Sequence, residues 1–114
     1  MKKVLWVSRH LMTEEQYSDL CRGLDDDVEL IHWQGTVGDV KELCPALKEA
    51  DAVAAVLPPE LLGELLEIAE GRPVLRSINE RSLTEPKDGT EPQVIFCHKC
   101  WEKVLKIEIV TERL

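Results

Sequence analysis

The chain lacks the signatures that would declare a function at sight. Its 114 residues contain no GxGxxG dinucleotide fingerprint and no GxxxxGK[ST] phosphate loop, so a nicotinamide, flavin or P-loop site has no support. The GxSxG elbow of serine hydrolases is missing too. No apolar run approaches the roughly 20 residues that cross a bilayer. The amino terminus has two lysines but neither a long apolar region nor a small-residue cleavage site. A cytoplasmic protein with no membrane partner is the expectation.

Basic charge is also short. The 14 Lys+Arg stand against 22 Asp+Glu, a net −8, and that field repels a duplex phosphate backbone. General DNA or RNA binding is therefore disfavoured. A small anionic ligand in one pocket stays compatible, because a few arginines act at short range within a screened field. The four cysteines, Cys21, Cys44, Cys97 and Cys100, read as reduced thiols rather than a disulfide framework. Cys97-His98-Lys99-Cys100 is a CxxC without a second pair, half a zinc site that a metal could complete by bridging two chains in a metal- or redox-responsive dimer, with a simple pair of thiols at a strand end as the favoured reading. It follows a strand and does not open a helix, which disfavours a thioredoxin-type role. Neither a metal nor a cofactor is expected.

What is present is a regular alternation. Val4-Leu5-Trp6-Val7 is a short continuous apolar run, the pattern of a strand buried on both faces. It ends in Ser8-Arg9-His10, and Thr13-Glu14-Glu15-Gln16 reads as a capping box opening a helix. Tyr17, Leu20, Cys21 and Leu24 form that helix's apolar stripe, closed by Gly23 and the solvated turn Asp25-Asp26-Asp27. A second strand spans Val28 to Trp33, with His32 as a partly buried structural histidine. A second helical stripe runs from Asp39 to Ala50, where Pro45 either kinks the helix or begins a new turn. Ala52 to Leu57, uniformly apolar and small, should be a central parallel strand. Pro58-Pro59 leads into a helix through Glu70, and Val74 to Ile78 is a fourth strand.

The expected fold is thus α/β: a single Rossmann-like domain, with a mainly parallel twisted sheet flanked by helices. Residues 79–93 are polar, with two prolines and a glycine, and read as a long loop insertion. Val94 to Cys97 and Val104 to Val110, joined by a turn near Trp101, look like a carboxyl-terminal antiparallel hairpin. An edge hairpin makes a homodimer the expected assembly. Trp6, Trp33 and Trp101 read as core or interface residues.

Two polar clusters follow strands whose carboxyl ends should share a rim: Ser8-Arg9-His10 and Arg76-Ser77-Ile78-Asn79-Glu80-Arg81. With the fourth strand beside the first, the crevice between them would be the topological switch point where ligands gather. Arginine bonds phosphate bidentately, so Arg9, Arg76 and Arg81 suit a phosphate-bearing ligand, with Ser77 and Asn79 as further contacts. The helix beginning near Thr13 would add its amide donors. His10 and Ser8 are the catalytic candidates. In-line attack by a bound RNA's own 2′-hydroxyl needs positioning, arginine charge and one acid or base such as His10, but no metal.

The opening WVSRHLMTEEQ resembles the start of the small CRISPR-associated ring-nuclease families with a CRISPR-associated Rossmann fold. The matching residues are Ser8, His10, Thr13 and Gln16. The resemblance implies a homodimer that binds cyclic oligoadenylate across the ends of strands one and four and cleaves it without metal, ending an antiviral signal. The competing expectation is a non-enzymatic acidic homodimer of a mobile element or defence locus, docking on another protein through its hairpin or long loop.

Overall fold

In the computed structural model, Lys2–Val7 forms strand β1, and its apolar run Val4–Val7 is covered on both faces. The structure describes residues 1–83, 94–108 and 111–114. The further strands are β2 (Val28–Trp33), β3 (Ala52–Ala55), β4 (Val74–Leu83) and β5 (Val94–Lys103). The helices are α1 (Glu14–Leu24), α2 (Cys44–Glu49) and α3 (Pro59–Ile68), with a 3-10 turn at Val40–Leu43. One five-stranded sheet runs in the order β2-β1-β3-β4-β5, parallel except for β5.

Side chains alternate across β1 and β3 and so feed two cores. Leu5, Val7, Val53 and Ala55 pack with Val40, Leu43, Leu47, Leu62 and Leu65 on the face of α2 and α3. Val4, Trp6, Ala52 and Ala54 pack with Leu20 of α1, Val28 and Leu75 on the opposite face. β3 is the central strand, and its three alanines let helices approach from both sides.

Local chemistry accounts for the helix ends. Thr13 Oγ1 accepts the Gln16 N–H at 3.1 Å, and Gln16 Oε1 accepts the Thr13 N–H at 2.9 Å, closing the capping box. At the other end α1 runs past Gly23, and Asp25 takes the left-handed position with φ 54°. That conformation crowds a Cβ, and the carboxylate sits at the negative end of the helix. Asp25→Gly removes both penalties and is expected to stabilise the fold by about 0.5–1 kcal/mol. An unchanged or lower urea midpoint would count against this. Pro45 sits in the first turn of α2, where its missing N–H costs no hydrogen bond.

Three expectations change. The fourth strand does not lie beside the first, because β3 stands between β1 and β4, and the strand order reverses between β1 and β3. Residues 79–83 are not loop but the second half of β4, extended by pairing with β5; residues 84–93 lie outside the described part. The antiparallel pair is real, but it is β4 against β5. Trp101 is a strand residue rather than a turn, and Val104 to Glu108 is not strand. The alternation at 104–108 comes from an extended segment laid over the core: Val104 is buried, Leu105 exposed, and Ile107 packs beside Gly63 of α3. Residues 109–110 also lie outside the described part. Among the described residues, no helix is long and apolar enough to cross a membrane.

Candidate functional site

The turn after β1 is built from its own polar groups. Ser8 is 8% exposed; its N–H donates to the Trp33 carbonyl at 3.2 Å, and its own carbonyl accepts from His32 Nε2 at 2.9 Å. Ser8 Oγ accepts the His10 N–H at 3.1 Å, and Trp6 Nε1 donates to the His10 carbonyl at 2.9 Å. His32 is thus a structural histidine, and Ser8 shapes the turn while His10 stands exposed on it.

The carboxyl ends of β1 and β3 and the middle of β4 open onto three abutting cavities. The largest, about 590 Å³, is walled by Ser8, His10, Thr13, Gln16, Asn79 and His98 among others. A cavity of about 190 Å³ shares Ser8 and Val56 with it and adds Arg9 and Thr36. A third, about 240 Å³, shares Gln16, Val56 and Asn79 and adds Arg76 and Ser77. Val56, 60% exposed at the end of β3, borders all three.

The two sequence clusters therefore reach one rim although their strands are not neighbours. Ser8, His10 and Asn79 border the large cavity, while the arginines flank it rather than converge. Arg9 Nη2 donates to Thr36 Oγ1 at 3.1 Å, and Arg76 Nη2 lies 3.7 Å from Glu102 Oε1, both groups half exposed. Such an exposed pair is worth little and yields readily to a better anion. Arg81 occupies a β4 position opposite Phe96, and its side chain lies outside the described part.

A second set of residues meets at Ser77. The β4–β5 register slips between Ile78 and Asn79, so that Ile78 faces Cys100 but Asn79 faces His98. Lys99 is the extra residue, and a bulge of this kind re-aims the side chain beside it. It brings His98, not Lys99, onto the α1 side of the sheet beside Ser77 and Trp101. His98 Nδ1 lies 2.8 Å from Ser77 Oγ, and its Nε2 lies 2.9 Å from Asp19 Oδ2. The His98 side chain is 5% exposed.

No protein-family profile, curated protein or solved structure matches this chain. The chemistry of the rim rests on its own residues.

Helix α1 supplies three partners to this set. Gln16 Oε1 is held by the capping box, which turns Nε2 toward Ser77 Oγ at 3.2 Å. Asp19, one turn on, holds His98 and pairs with Arg22. The Gln16 carbonyl accepts the Trp101 Nε1–H at 2.8 Å. The hydrogen bond from Arg22, and next that from His98, hold the Asp19 carboxyl below its ordinary range. Asp19 is therefore ionised at neutral pH and can only accept, so His98 donates to it from Nε2, and in the neutral ring Nδ1 is left as an acceptor facing Ser77. Ser77 has one hydroxyl hydrogen and two acceptors in reach, His98 Nδ1 and, at 3.2 Å, Asn79 Oδ1. With the ring neutral, the hydroxyl hydrogen can turn from Asn79 Oδ1 to the closer ring nitrogen.

Sequence reasoning assigned Ser77 and Asn79 to the rim but left out Asp19 and His98. The only sequence signal for Asp19 was its spacing of three from Gln16, which stacks the two on one helix face. His98 gave none, because its placement depends on the bulge. All four cysteines are free, with Cys97 exposed on β5. Among the described residues, no cluster of three or more His, Cys, Asp or Glu could hold a metal ion.

Proposed function

We propose that this Rossmann-like chain binds a small nucleotide ligand of the cyclic oligoadenylate class along the strand-end rim. The observation carrying the reading is the run of three abutting cavities around Val56, with a guanidinium at either flank and hydroxyl, imidazole and carboxamide groups between. Its combined size is that of an extended ligand rather than a single small metabolite. Arg9 and Arg76 would take phosphates after exchanging Thr36 and Glu102 for charge-assisted bonds. Glu14 and Glu15 border the middle cavity and disfavour phosphate there, but a carboxylate accepts from an exocyclic amine such as that of adenine. Ser8 and Asn79 stand near the sugar. Cleavage, in this reading, is in-line attack by the ligand's own 2′-hydroxyl with His10 as acid or base and no metal. Because Ser8 Oγ already accepts from the His10 amide, it would act by holding that turn.

A non-enzymatic role has one observation of its own. β5 is a ten-residue strand at the edge of the sheet, and such an edge pairs readily with a second copy. A homodimer joined there fits either reading.

The test is a melting screen against cyclic tetra- and hexa-adenylate, then chromatography of products in chelator. Saturation at about 100 times Kd is expected to stabilise the chain by about 2.7 kcal/mol, several degrees in Tm. Arg9→Ala and Arg76→Ala should each reduce the shift, and light scattering should give twice the 13.0 kDa protomer. No shift and no product at high ligand excess would remove the ligand reading; a mass of 13.0 kDa would remove the dimer.

A further inference from the structure

We propose that Ser77 is a nucleophile activated by His98 and positioned through Asp19, acting on the carbonyl carbon of a short-chain ester. The site shares the cavity beside Arg76 with the nucleotide rim proposed above but does not depend on that ligand.

Three features of the geometry support it. The hydrogen-bond chain Asp19 Oδ2–His98 Nε2, His98 Nδ1–Ser77 Oγ has both links below 3 Å, with the ring nearly fully buried. The roles are those of a nucleophile, a base and an orienting carboxylate, a constellation recognised by geometry and not by chain order. Here the ring is used in the opposite sense to the common arrangement, Nδ1 toward the serine, which is equivalent chemistry for a neutral imidazole. Ring orientation is over-determined: the ring leans on Trp101 with centroids 5.6 Å apart, and Trp101 is in turn bonded to Gln16.

The second feature is the donor set. Gln16 Nε2, aimed by the capping box, gives one hydrogen to Ser77 Oγ and has a second to offer the carbonyl oxygen of a bound ester, where the oxyanion develops. The third is the space. The cavity of about 240 Å³ that includes Ser77 is floored by Ala55, Leu57, Pro59 and Leu62, an apolar slot sized for a short acyl chain.

The step balances without a co-reactant beyond water. Ser77 Oγ bonds to the carbonyl carbon as its proton passes to His98 Nδ1. The tetrahedral adduct collapses, the ester C–O bond breaks, and the leaving alkoxide takes the proton from Nδ1. Water then adds to the acyl-serine, gives a proton to Nδ1, and the carboxylic acid departs as that proton returns to Ser77. His98 touches the moving proton throughout. Asp19 touches only His98 and is a positioning residue.

The experiment is treatment of the full chain with diisopropyl fluorophosphate, in which Ser77 Oγ–P forms, P–F breaks and fluoride leaves. Peptide mass spectrometry is expected to locate the adduct on Ser77. Hydrolysis of p-nitrophenyl acetate and butyrate should exceed that of the decanoate. Ser77→Ala should abolish labelling, His98→Gln should slow it by about 100-fold or more, and Ser18→Ala, an exposed α1 position, should leave it unchanged. Asp19→Asn should slow labelling and also move the ring proton from Nε2 to Nδ1, read by ¹⁵N shifts of the imidazole, which ties the slower labelling to the state of the ring in a chain that stays folded. Folding of each variant is checked by circular dichroism, and Ser77→Thr, which keeps the hydroxyl, should label slowly. A folded wild-type chain that stays unmodified at Ser77 under prolonged excess of reagent overturns the proposal. Loss of cyclic oligoadenylate binding would not touch it.

Discussion

Trp101→Ala is expected to lower stability by about 3 kcal/mol, roughly 10 °C in Tm. Trp101 joins three things at once. Its ring meets Trp6 edge-on, with centroids 5.9 Å apart and planes at 82°, an arrangement worth about 0.5–1.5 kcal/mol beyond buried area. Its Nε1–H closes on the Gln16 carbonyl at 2.8 Å, worth about 1 kcal/mol net. Its body fills the α1 side of the sheet beside Leu75. The residue is only partly buried, which places the loss at the low end of tryptophan truncations. Trp101→Phe keeps the aromatic body and should cost about 1 kcal/mol, the hydrogen bond alone. Urea unfolding of the three proteins measures both figures. A loss below about 1 kcal/mol for the alanine variant would mean that α1 is held to β5 by other contacts.

The second large effect is a pH dependence. With its folded pKa lowered by Arg22 and His98, Asp19 contributes stability that is fully present above the ordinary carboxylate value of about 3.9. That contribution is lost as the pH falls through the lowered folded value. Asp19→Asn has no charge to lose, so the wild-type advantage over it should be complete at neutral pH and vanish in strong acid. Urea midpoints of both proteins at about pH 7, 4 and 2.5 give the comparison. A gap that stays constant across that range would show that the Asp19 charge carries none of the stability. His98→Ala takes one hydrogen-bond partner each from Asp19 and Ser77 and should cost about 1–3 kcal/mol. In combination with Asp19→Asn the losses should fall short of their sum, since both remove one contact.

Much of the fold could be read residue by residue. β1, the capping box of α1, the small-residue central strand and the proline starts of α2 and α3 all depend on neighbours within a few positions. Their chemistry therefore shows in the pattern. Strand order does not, because β4 gains its place by packing α3 against a sheet that must already contain β3. The polar stretch after Ile78 reads as loop because Leu83 is its one large apolar side chain; five of its residues are strand only because β5 pairs with them. Conversely, Leu105, Ile107 and Ile109 alternate like a strand, yet Val104 to Glu108 finds no partner strand among the described residues. An extended segment covering a core shows the same period of two as a paired one.

The rim divides in the same way. That Ser8, His10, Ser77 and Asn79 would share one rim followed from the sequence, because parallel strands send their following residues to one side; that β4 runs five residues beyond Ile78 did not. The sequence also determined the two-sided core and the α1 start that aims Gln16. What only the tertiary structure decided is which groups face each other there. Arg9 and Arg76 lie apart because β3 separates their strands. Asp19, Ser77 and His98, drawn from a helix and two strands, meet because one extra residue at Lys99 rotates His98 toward α1. A bulge is a mismatch between two strands, and neither strand's sequence contains it alone.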